Sequence, residues 1–192
     1  MIHSARFTAV LDTNVIYPVI IRDLLLWFAH YDLYTPKWSR HIVDEWKDVL
    51  ERKDVAADIA ALRVEKINLA FPDALVHNYE GLIGAIKLPD EKDRHVVAAA
   101  VKVNANVIVT NNLKDFPDAY LQSFGLSVKS ADDFLTDIID LNHDKAKEAF
   151  KEMVCQKKNP EMDDYQVLDQ LRKNGLTQTA ANSSYIDHPI PV

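Results

Sequence analysis

One cysteine in 192 residues rules out an intrachain disulfide, and Cys155 has no charged pattern beside it that would mark a reactive thiol. Glycine is nearly as scarce, at four, and none sits in a phosphate-cradling loop. Zinc-type His/Cys spacing and a serine nucleophile elbow are also missing. Long apolar runs are absent too. The longest stretches, 15–21 and 24–29, are interrupted by Pro18 and by Arg22-Asp23, far short of the ~18 residues a bilayer span needs. No basic segment followed by an apolar one opens the chain, so no signal peptide is expected. These absences point to a soluble, cytoplasmic protein with no membrane association. Positive charge is also in short supply. The net charge is −7, and the excess lies early: residues 1–142 hold 15 of the 22 basic and 21 of the 29 acidic side chains. Such a surface binds nucleic acid poorly without help, but a divalent cation among clustered carboxylates reverses the local sign.

What the chain does have is enough apolar content, 48%, to bury a substantial core. Residues 6–11 read as a strand. Pro18 suits the first turn of a helix to about Ala29. A second strand is expected at Asp32–Thr35. Ser39 is a good N-cap for a helix to about Arg52. Another helix should run from about Ala56 to Ala70, before Pro72. Residues 82–88 are ambiguous. Asp90 caps a helix to about Asn104, and Val107-Ile108-Val109 forms a buried strand. Pro117 opens a short helix ending at Gly125, 126–128 form a last strand, and Ser130 caps a helix over 131–141. Alternating strands and helices predict an α/β fold around a mainly parallel sheet. Residues 144–157, 163–174 and 177–184 read as helices alone. The expected division is therefore a domain over 1–142 and a helical extension over 143–192, with an irregular tail from Asp187.

Four segments along this frame supply acids and amides. Asp12-Thr13-Asn14 follows the first strand, where ligands usually bind in open α/β sheets. In the helix after Ser39, Ile42, Val43, Trp46, Val49 and Leu50 form one stripe. Asp44 points away from it and Glu45 sits at its border, so Glu45 is the better candidate. In the next acidic helix Asp93 falls on the face of Val96, Val97 and Ala100. A carboxylate there needs a partner, a cation, or free N–H groups of a first turn. Asp90 reads as a cap, His95 as solvated, and Arg94 as a phosphate contact or a surface ion pair. Thr110, Asn111 and Asn112 follow the strand 107–109, with Asp115 close behind. Asn14, Asn112 and Asp115 are candidate ligands or orienting groups, and each could equally shape a turn or cap. Together the four segments read as a sheet edge that gathers carboxylates around a divalent cation.

Val10-Leu11-Asp12-Thr13-Asn14-Val15, Asp44-Glu45-Trp46, Leu88-Pro89-Asp90 through Asp93-Arg94-His95 to Ala100, and Val107 to Asn112 with Lys114-Asp115-Phe116-Pro117 resemble the motifs of the PIN domain, a metal-dependent nuclease family. Within that family the chain looks most like VapC-type toxins of bacterial toxin–antitoxin pairs that carry a helical C-terminal extension. The resemblance implies a three-layer α/β/α sandwich around a mainly parallel sheet, Mg²⁺ or Mn²⁺ as cofactor, RNA as substrate, and a cognate antitoxin in the active-site groove. It maps the family's three acids to Asp12, Glu45 and Asp93, which would be both catalytic and metal-holding. Asn14, Thr110, Asn112 and Asp115 would orient water or substrate. Asn112 stands where the family often has Asp, which weakens a second cation site unless Asp115 compensates. The apolar residues Leu24, Leu25, Trp27 and Phe28 exceed what one buried face needs, so a homodimer is expected. Two other classes fit less well: a catalytically degenerate PIN-like module that binds RNA or protein, and a small-molecule phosphohydrolase. Against the aspartyl-phosphate kind of the latter stands the lack of an acid two residues after Asp12.

Overall fold

In a computed structural model, residues 7–184 are described. They run in the order β1 (Thr8–Leu11), α1 (Thr13–Ile16), α2 (Val19–His30), β2 (Thr35–Ser39), α3 (Arg40–Arg52), α4 (Ala57–Ala70), β3 (Leu75–Val76), α5 (Glu80–Ile83), a 3-10 turn (Glu91–Asp93), α6 (Arg94–Lys102), β4 (Val107–Val109), a second 3-10 turn (Leu113–Asp115), α7 (Asp118–Gln122), β5 (Ser127–Lys129), α8 (Ala131–Leu141), α9 (His143–Cys155), α10 (Asp164–Lys173) and α11 (Thr177–Ser184). The chain forms two compact units. Among the described residues, the first holds 7–17 with 35–129, and the second holds 18–34 with 130–184. In the second unit α2 and α8 pack with the C-terminal helices. The tail from Asp187 lies outside the described residues.

The first unit is built on a five-stranded sheet, all parallel, in the order β3-β2-β1-β4-β5. This is the α/β architecture the sequence predicts. Parallel strands buried on both faces need continuous apolar runs, and Ala9, Val10, Leu11 and Val107, Ile108, Val109 are all buried. Chain order reverses between β1 and β4. Successive strands lead away from β1 on one side, then the chain crosses to β4 on the other. The register pairs Leu11 with Val109 and Val109 with Lys129, so these strands end level. A crevice at such a reversal is where open α/β sheets bind ligands.

β2 begins three residues later than the sequence indicates, and it contains Pro36. Thr35 donates its N–H to Phe7 on the β1 side, and Trp38 donates to Ala74 on the β3 side. Pro36 therefore faces the β3 side, but β3 pairs only with Trp38 and Ser39. Its missing N–H costs no ladder bond. β3 has two residues and was too short to show a period. Ser39 caps α3 through Ile42 N, and Ser130 caps α8 through Asp133 N, both as expected.

The second unit is helical. α2 packs on α9 and α10, and α11 packs on α8 and α10. Leu24, Leu25 and Phe28 are fully buried. Packing within the unit covers these three, while Trp27 on the same helix stays partly exposed. Tyr34 donates to the Leu25 carbonyl and packs edge-on against Phe134. Asp132, buried on α8, accepts from the N–H groups of Gln178 (3.0 Å) and Thr179 (2.8 Å). It thus satisfies the first turn of α11 from another helix, at the end where the helix dipole favours an anion. Asp132→Ala strands one buried donor, Thr179 N–H, and one partly buried donor, Gln178 N–H, and should cost about 1–3 kcal/mol. Calorimetry should show melting roughly 2–12 °C lower; an unchanged midpoint would mean α11 is held by its apolar face alone.

Candidate active site

Asp12 leaves β1 at the chain reversal and is 6% exposed. Its N–H continues the ladder to the Val109 carbonyl, so backbone pairing sets its position. Its Oδ1 accepts from Thr13 N (2.7 Å), and Oδ2 accepts from the Thr110 hydroxyl (2.7 Å) and the Asn14 amide (2.5 Å). Thr110, fully buried at the end of β4, also accepts from Asn14 Nδ2 (2.8 Å) and Asn112 N (3.1 Å). That hydroxyl uses its one proton and both lone pairs. Asn14 Oδ1 takes the Asn111 N–H at 2.8 Å, which ties the loop after β4 to the loop after β1.

Glu45 joins this network through Thr13, whose hydroxyl donates to Oε2 at 2.6 Å. Its other oxygen accepts from His95 Nε2 at 2.9 Å. Asp44 faces solvent and pairs with Arg40, as helix phase predicts. Asp93 joins through Asn112, whose Nδ2 donates to Asp93 Oδ2 (3.3 Å) and Asp115 Oδ2 (2.6 Å). All seven residues singled out from the sequence (Asp12, Asn14, Glu45, Asp93, Thr110, Asn112 and Asp115) are therefore linked by hydrogen bonds, with Thr13 as an eighth member that sequence reasoning left without a role.

Two local readings change. Asp93 does not lie within the α-helix; it ends a 3-10 turn that precedes α6, and it is half-buried. Asp90 caps that turn through Lys92 N. His95 is not solvated but 5% exposed. The 3-10 turn alters the helical phase, and His95 through Ala100 are all buried, so α6 has no wet face there. His41 stacks on His95, with centroids 5.1 Å apart and planes 22° apart.

The carboxylates disturb one another. Burial raises the carboxyl of Asp12 above its usual range, against the hydrogen bonds from Thr110 and Thr13. Asp93 is pushed up to about 6 by burial and by the charges of Asp12, Asp90, Asp115 and Glu45. Glu45 is drawn down: burial opposes this, but His95 and Thr13 outweigh it. Among the described residues no three acids or imidazoles form a ready-made metal cage. Mg²⁺ does not require one, since it takes one or two carboxylates and keeps several waters. Acids that raise each other's proton affinity at one sheet edge fit a divalent cation, which would relieve their repulsion.

The PIN domain model matches residues 8–114. The model of the VapC50 C-terminal domain matches residues 131–183. The chain is 41% identical over 98 residues to "Putative ribonuclease VapC50" of Mycobacterium tuberculosis (strain ATCC 25618 / H37Rv). That alignment covers 51% of this chain and 57% of the relative, so the match spans little more than half of either. No solved structure matches. The segment matched by the PIN domain model contains four of the five strands, the reversal between β1 and β4, and Asp12, Glu45 and Asp93, and on that match the chain belongs to the PIN-domain family.

Proposed function

We propose that the chain is a divalent-metal-dependent endoribonuclease and the toxin of a toxin–antitoxin pair, acting in the cytoplasm on RNA and held inactive by a cognate antitoxin. The observation that carries this reading is the linked network of Asp12, Glu45 and Asp93 at the chain reversal, with Asp93 carrying a carboxyl near 6 among four other acids. The relative's printed name supports RNA as the substrate class. All of these residues lie between 12 and 115, so the nuclease machinery falls in the first 142 residues, with 143–192 as the extension.

In this reading Asp12, Asp93 and Glu45 hold Mg²⁺ or Mn²⁺. When bound, the cation supplies charge neutralisation at the scissile phosphate and makes water a better nucleophile. The chain's own groups set the stage for that. Thr110 and Asn14 fix Asp12 in one rotamer, and Thr13 ties Asp12 to Glu45. Asn112 stands where an acid is common in the family. Its amide is turned to Asp93 and Asp115, so it acts as a donor that orients carboxylates. That arrangement favours a single cation.

Attack by water, rather than by the RNA 2′-hydroxyl, leaves 5′-phosphate and 3′-hydroxyl ends. Enzymatic ligation and mass spectrometry of the cleavage products should find those ends. A 2′,3′-cyclic phosphate would place the chemistry on the RNA itself and overturn the mechanism.

A further inference from the structure

Resting on the nuclease reading, we infer that His95, backed by His41 and Tyr79, is a positioning residue that holds the Glu45 carboxylate in its cation-binding orientation. An ionised carboxylate only accepts, so His95 donates from Nε2 to Glu45 Oε1 at 2.9 Å. Among the described residues the opposite nitrogen, Nδ1, is buried with no hydrogen-bond partner. Nδ1 thus offers no competing contact, and the ring's hydrogen bond goes to Glu45 through Nε2.

The ring cannot turn away from that task. It sits on α6 among fully buried neighbours, Val96 to Ala100. His41 lies nearly parallel to it at 5.1 Å. His41 is itself pinned by the buried Tyr79, whose hydroxyl accepts from His41 N (3.3 Å) and is hydrogen-bonded to Nδ1. Glu45, by contrast, is a long side chain on a helix with 43% of its side-chain surface exposed. Left alone it would sample several rotamers. Held by His95 on one oxygen and Thr13 on the other, it samples few. Groups that orient a metal-holding carboxylate are commonly worth 10- to 100-fold in affinity or activity.

The test is Mn²⁺ binding by titration calorimetry together with RNA cleavage, on the wild type, His95→Phe, His95→Gln, Glu45→Gln and the double variant His95→Phe/Glu45→Gln. Melting curves check folding. His95→Phe should weaken Mn²⁺ binding and cleavage about 10- to 100-fold. His95→Gln, whose amide can still donate to Glu45, should recover most of that loss. In the Glu45→Gln background, His95→Phe should add less than about threefold, because its target is already gone. Full additivity, or His95→Phe binding Mn²⁺ like the wild type, overturns the positioning role. If His95→Phe does not fold, the His95→Gln protein decides: a loss as large as that of Glu45→Gln sinks the proposal. Failure of the nuclease reading looks different, because then the wild type itself does not cut RNA.

Discussion

An Asp12→Asn protein should fold and fail to cut RNA, with cleavage reduced by a factor on the order of 10³ or more, about 4 kcal/mol in the barrier. The fold should survive because burial already disfavours the charge on Asp12. A neutral amide is the same size and cheaper to bury. It keeps one acceptor oxygen for the three donors from Thr13, Thr110 and Asn14, so about 1–2 kcal/mol of stability is at stake. A second signal accompanies the lost activity. Mn²⁺ at 100 times its dissociation constant should stabilise the wild type by about 2.7 kcal/mol. That shift should shrink to almost nothing in the variant. A variant that cuts like the wild type would remove Asp12 from the chemistry.

Asp93→Asn should separate stability from activity. The Asp93 carboxyl sits at about 6 in the folded chain against an ordinary 3.8. The folded state therefore holds this proton more tightly than the unfolded chain does. The penalty is absent below about pH 4, grows as pH rises through 6, and is complete above it. Because Asp93 is partly solvated, its raised carboxyl costs roughly 1 kcal/mol of stability at neutral pH. Metal-free Asp93→Asn protein should then melt about 2–4 °C higher than the wild type at pH 7.5 and level with it near pH 4. It should not cleave RNA, and Mn²⁺ should no longer stabilise it. An Asp93→Asn protein that is less stable at pH 7.5 would mean the carboxylate serves the fold rather than the cation.

The sheet was legible where strands are apolar and flanked by caps. β1 and β4 are runs of small and β-branched residues, and Ser39, Ser130 and Asp90 each cap as their side chains predict. β2 was placed at Asp32–Thr35, short of Pro36, a residue that central strands ordinarily exclude. Only the short pairing of β3 makes a proline harmless there, and that is a tertiary fact. The acids were legible because three of them follow strands or sit beside apolar stripes. His95 was not, because a helical wheel assumes one dry face and one wet face. α6 is buried on every side from His95 to Ala100, and the 3-10 turn before it altered the phase. Thr13 was in plain view within Asp12-Thr13-Asn14. Its role depends on α3 bringing Glu45 within 2.6 Å, which no local pattern encodes.

The most direct test of the account is cleavage of a defined set of tRNAs and ribosomal RNA fragments by the purified chain, in Mn²⁺, in EDTA, and after Mn²⁺ is restored. Discrete cuts that vanish in EDTA and return with the metal are the predicted result. Cutting that persists undiminished in EDTA, or RNA bound with the metal present and never cut, would contradict it.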